Sequence, residues 1–163
     1  MDHCEECGFV YADVPAADLP RVLSGLGDRY ATALGAASEP RRRPAERVWS
    51  PLEYACHVHD VLRVQHERLV LALTVTAPEF PSMGRDERAV ADAYNEQDPA
   101  VVLADLADAA ESLAARFAGL GPADLDRTGV YPLAEPTAQT MLWLGRHTVH
   151  EGEHHLLDIR RAG

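Results

Sequence analysis

The chain has 163 residues, a net charge of −11 at pH 7 and 47% hydrophobic residues, the balance of an ordinary globular protein. All 15 of its basic residues are arginine, and so acidic a chain repels a nucleic-acid backbone. No apolar run nears the roughly 20 residues that span a bilayer, "MDHCEECGF" does not begin like a secretory leader, and three cysteines are too few for a disulfide framework, so a cytoplasmic protein is expected.

Four long helices are expected, and no stretch alternates as a strand should. The first runs from about Asp18 to Ala36, with apolar spacing through Leu19, Val22, Leu23, Leu26, Tyr30 and Leu34. Arg41, Arg42 and Arg43, between two prolines, read as a solvated loop. Ser50 then caps a second helix, with Pro51 at its first position and Glu53 completing a capping box; Pro78 ends it beyond about Val75. A polar connection follows, with a short helix around Asp86 to Tyr94. Asp98 and Pro99 open a third helix reaching Phe117, and "GLGP" stops it. A connection through Pro122, Gly129, Pro132 and Pro136 leads to Thr137, the expected cap of a fourth helix that continues almost to the end. The whole is expected to form one domain, residues 1–163, with a short N-terminal extension of about 15 residues. Two long connections among four helices predict an all-α four-helix bundle with crossovers.

The stretch "HTVHEGEHH" holds four of the eight histidines. With His150 at the origin of a helical wheel, Trp143 falls at about 20°, His154 at about 40° and His147 at about 60°, while His155 at about 140° leaves that face. On the second helix His57 lies among Val61, Val64 and Tyr54, and His59 and His66 point away with Arg63 and Glu67. His150 and His154 stand one turn apart, a spacing that gives one ion two ligands, and His57 supplies a third from a facing helix. Three protein ligands leave positions open, as in a catalytic site. The wheel leaves His147 undecided. The bland alternative is a hydrogen-bonded polar core.

The residues "WSPLEYACHV" and "HEGEHH", with "AYNEQDP" leading into the third helix, resemble the signatures of the DinB-like four-helix-bundle metalloproteins. The resemblance covers nearly the whole chain. It implies an up-down-down-up bundle, zinc or nickel, homodimers, and a metal triad at His57, His150 and His154, with His147 beside it. The superfamily includes mycothiol-dependent maleylpyruvate isomerase and bacillithiol and mycothiol S-transferases. A thiol-dependent S-transferase or isomerase acting on an electrophilic small molecule is therefore the expected activity, with a metal-dependent hydrolase or a non-catalytic metal-binding protein as alternatives. Heavy use of Arg and Ala suits GC-rich coding and, with the resemblance, mycothiol. Many relatives carry an Arg after the His-His pair; here "HHLLDIRR" offers only Arg160 and Arg161, farther along.

Glu53, one turn before His57, and Asp158, one turn after His154, are candidates to orient an imidazole, against capping and surface pairing as their plainer roles. Trp143, Tyr54 and Cys56 read as packing. "HCEECGF" places Cys4 and Cys7 in a C-x-x-C-G knuckle beside His3, which reads as half of a second metal site or as a dithiol.

Overall fold

In the computed structural model residues 3–132 and 135–163 are described. The first expected helix is two: α1 (Leu19–Ser24) and α2 (Leu26–Ala36), parted at Gly25, whose poor helix propensity makes it the weak point. α3 (Pro51–Thr74) starts at the expected capping box, with the Ser50 hydroxyl accepting from the Glu53 amide and Glu53 accepting from the Ser50 amide. α4 (Arg85–Ala91) lies in the connection, and α5 (Pro99–Ala118) is capped by the Asp98 carboxylate, which accepts from the Ala100 amide at 2.8 Å. A single turn, α6 (Pro122–Leu125), follows.

The absence of strands was a wrong expectation. β1 (Thr128–Tyr131) and β2 (Thr137–Thr140) form an antiparallel pair in which Thr128 faces Thr140 and Tyr131 faces Thr137. Each spans four residues, too short for alternation to show. Thr137 therefore begins a strand, and α7 (Met141–Ala162) is capped by Thr140, whose hydroxyl accepts from the Trp143 amide at 3.1 Å.

The α1–α2 pair and α3 each pack against both α5 and α7, and so lie diagonally across the bundle. The ends fix the directions. Cys56 and Asp60, early in α3, bond to Tyr94 just before α5, while Arg127, soon after α5, donates to the Ala72 carbonyl near the end of α3. α3 and α5 therefore run parallel. The Met141 amide donates to Arg127, so α7 starts at that same end and returns. Leu19 and Phe117 meet Gly145, and Tyr30 donates to the Gly152 carbonyl at 2.9 Å, which aligns α1 and α2 with α7. The order is up-down-down-up. Among the described residues no helix is long and apolar enough to cross a membrane.

Gly152 lies where α7 packs on α2. A Cβ there would lie 2.8 Å from a Leu26 methyl, so only glycine lets α2 approach this closely. Gly152→Ala should cost about 1–3 kcal/mol by overpacking. Gly35→Ala, where nothing lies within 4 Å, should instead stabilise α2 by up to about 1 kcal/mol. Urea denaturation of both variants checks the contrast.

Candidate metal centre

α3 and α7 bury an unusual set of polar side chains between them: His57, Gln65 and Arg68 from one, Thr148 and His155 from the other. His57, Glu151 and His155 bring one ligand atom each within 4.8 Å of one another. The two imidazoles meet edge to face, with centroids 4.9 Å apart, and are flanked by Trp49 against His57 and Tyr54 against His155. These three residues help line a cavity of about 390 Å³, whose walls include Arg68, Arg85, Tyr131 and His147.

The groups differ in how their environment treats charge. Burial, reinforced by the His155 charge, pushes His57 down to about 3, and its Nδ1 is buried with no hydrogen-bond partner. Burial also works to lower His155, but bonds to Asp158 and Glu151 outweigh it and raise the imidazole. Asp158 Oδ2 lies 2.8 Å from His155 Nδ1, which fixes the ring and turns Nε2 toward the cavity. Glu151 is partly buried, which by itself raises a carboxyl, yet His150 and His155 hold it well below its ordinary value. The result is a neutral imidazole, an anionic carboxylate and a carboxylate-oriented imidazole around one space.

A family profile for the DinB superfamily matches residues 17–159. The chain belongs to the DinB superfamily. Among solved structures this DinB protein is similar to YfiT from Bacillus subtilis, with a TM-score of 0.78 and 18% identity over 90% of this chain and 86% of the other. YfiT is described as a probable metal-dependent hydrolase with an unusual four-helix bundle topology. No curated protein matches the sequence.

The structure distributes the expected site residues between two places. His57 joins Glu151 and His155, whereas His150 and His154 gather with Cys4 and Cys7. The expected trio of His57, His150 and His154 lines this one cavity, but the ligand atoms nearest His57 are those of Glu151 and of His155, which the wheel set aside. The reason lies in what covers α7. On the wheel used above, Met141, Thr148 and Ile159 fall at about 160–180°, so the bundle core lies on the side of His155 at about 140°. In the stripe of Trp143, His147 and His150, the first two are half-buried and the third buried, under the N-terminal segment, where Tyr11 stacks on Trp143 and His147 and Phe9 rests on His150. The run Met141, Leu144, Thr148, His155, Ile159 was a sequence signal for the true core face, and Glu151–His155 has the same one-turn spacing as His150–His154.

The other candidates also have definite places. His147 Nδ1 lies 2.9 Å from the Tyr11 hydroxyl, which is 3.3 Å from His150 Nδ1. Glu53 is occupied by Arg43 and the Ser50 amide, its plainer role. Asp158 orients an imidazole, that of His155 at 2.8 Å, and is 3.8 Å from His154. His3 is exposed and pairs through its backbone with Val10. Cys56 is buried and donates to the Tyr94 carbonyl. Arg161 bonds Glu6, and neither it nor Arg160 lines the His57 cavity, whereas Arg68 and Arg85 do.

In metal-free protein, His57 should remain neutral in a histidine NMR titration down to about pH 3. The unfolded chain takes up that proton first. His57 therefore removes stability as pH falls from 6.5 toward about 3, by up to about 1.4 kcal/mol per pH unit. His155 acts in the opposite sense, adding stability below 6.5 that is lost as pH rises through its elevated value.

Proposed function

We propose that this chain is a divalent-metal-dependent DinB enzyme, with zinc or nickel held by His57, Glu151 and His155, that transfers a thiol to an anionic electrophile. One observation carries the reading: His57, whose Nδ1 is buried and unpartnered, brings a ring nitrogen within 4.8 Å of ligand atoms of Glu151 and His155 on the wall of a cavity of about 390 Å³. A lone pair buried without a donor is costly, and a cation relieves it. Two imidazoles and one carboxylate suit a divalent transition metal and leave positions open. When bound, such an ion lowers the pKa of a coordinated thiol or water.

The protein's own groups supply the rest. Asp158 holds the His155 ring, and the Glu151 carboxylate needs no proton to leave before it binds a cation. Arg68 is buried, makes no ion pair among the described residues, and leaves its Nε without a partner while Nη2 donates to the Pro81 carbonyl. A guanidinium placed so recognises a carboxylate or a similar anion. With Arg85 on the same wall, it gives the cavity two cations for substrate. His147, lowered by burial, is neutral at neutral pH and stands at the wall as a base.

Hydrolysis is the second reading, favoured by the description of YfiT. Metal-loaded protein given mycothiol and monochlorobimane should form the thiol conjugate, and chelation should abolish it. Turnover of a carboxylate-bearing ester without any thiol would favour hydrolysis instead. Neither reaction, with the ion bound, would refute the enzymatic reading. Asp158→Asn should weaken metal binding by about 10–100-fold. Arg68→Met should raise KM for an anionic substrate about tenfold or more, with circular dichroism confirming the fold.

A further inference from the structure

The N-terminal knuckle has no part in the reaction proposed above, yet it is built with care. The Cys4 amide donates to the Phe9 carbonyl at 2.8 Å and the Gly8 amide to the Cys4 carbonyl at 2.9 Å, closing a tight loop. Gly8 sits at φ +75°, a conformation that side chains disfavour. Cys4 and Cys7 are both unbridged. With His150 and His154 they bring four ligand atoms within 4.8 Å of one another.

A tetrahedral zinc with two sulfur and two nitrogen ligands needs edges of roughly 3.3–3.8 Å, from Zn–S of about 2.3 Å and Zn–N of about 2.0–2.1 Å. Cys4 Sγ and His154 Nδ1 are 3.7 Å apart, already at that length. The histidines are poised as zinc ligands are. His154 turns Nδ1 to the Cys4 sulfur while Nε2 faces Glu6 at 3.6 Å and Asp158 at 3.8 Å. His150 has Nδ1 against the Tyr11 hydroxyl at 3.3 Å and Glu151 at 3.5 Å, while its buried Nε2 has no partner. In each ring one nitrogen has oxygen neighbours and the other is left for an ion. The spacings, C-x-x-C and H-x-x-x-H, are those of zinc sites.

We propose that Cys4, Cys7, His150 and His154 bind a zinc ion in a closed four-ligand site that fastens the N-terminal segment to α7, separate from the centre at His57. Four protein ligands leave no open position, so the site is structural. The segment it anchors carries Phe9 and Tyr11 over His150 and His147, and so forms one side of the polar interior. Glu151 touches both sites, one oxygen lying 3.5 Å from His150 and the other 3.7 Å from His155.

The test is cobalt substitution with metal counting, on wild type, Cys4→Ser, Cys7→Ser and His57→Ala proteins. Wild type and His57→Ala should both show a thiolate-to-cobalt charge-transfer band and a tetrahedral visible spectrum. Each cysteine variant should lose the band and one bound ion per chain while keeping the ion at His57. Bound zinc should also shield both thiols of the wild-type protein from a thiol reagent. Cobalt-loaded wild type without the band, or thiols equally reactive with and without zinc, would overturn the proposal even if the cysteine variants misfold. A Cys4–Cys7 disulfide in protein purified without reductant, unable to take up zinc after reduction, would mark a redox pair instead. Loss of metal from His57→Ala with the band intact would leave this site standing and concern the other centre alone.

Discussion

Imidazole nitrogens buried without partners are costly, and among the described residues there are two: Nδ1 of His57 and Nε2 of His150. Both residues line one cavity, and each belongs to a different group of close ligand atoms. The arrangement is possible because α7 is covered twice, by the bundle on one face and by the N-terminal segment on the other. Gly145 and Gly152 let α7 pack closely on Leu19, Phe117 and Leu26 on the bundle side. Consecutive residues His154 and His155, about 100° apart on the helix, turn to different groups of ligand atoms.

Division of labour follows from ligand count and surroundings. The group around His57 has three ligand atoms, an adjoining cavity and a buried arginine without an acidic partner among the described residues, which suits the exchangeable position and anionic substrate proposed above. The group around Cys4 has four and belongs to a tight turn. Glu151 lies between them and is held as an anion by His150 and His155. Whatever changes the position of His150 is therefore felt at the neighbouring centre through one carboxylate.

Much of the architecture was legible because it is local chemistry. The capping box at Ser50 and Glu53, and Asp98 with Pro99, marked the helix starts within a residue or two. The four-residue strands were not legible, because so short a segment has no period to read, and Thr137 competed with Thr140 as a cap. The site was half legible. Spacing on α7 and the inward face of α3 identified the histidines as a polar interior, and the resemblance gave the superfamily. A wheel alone does not choose between His150–His154 and Glu151–His155, because both pairs have one-turn spacing and both faces are covered in part. That depended on a segment remote in sequence, residues 3–14, folding back over α7. The cysteines read as half of a site, and the ligand atoms that lie beside them, those of His150 and His154, come from the other end of the chain.

Anomalous diffraction from crystals of the metal-loaded protein, recorded at the zinc edge, tests the account most directly. It should reveal two ions per chain, one among His57, Glu151 and His155 and the other among Cys4, Cys7, His150 and His154. A single ion bridging His57, His150 and His154, with the cysteines free, would contradict it.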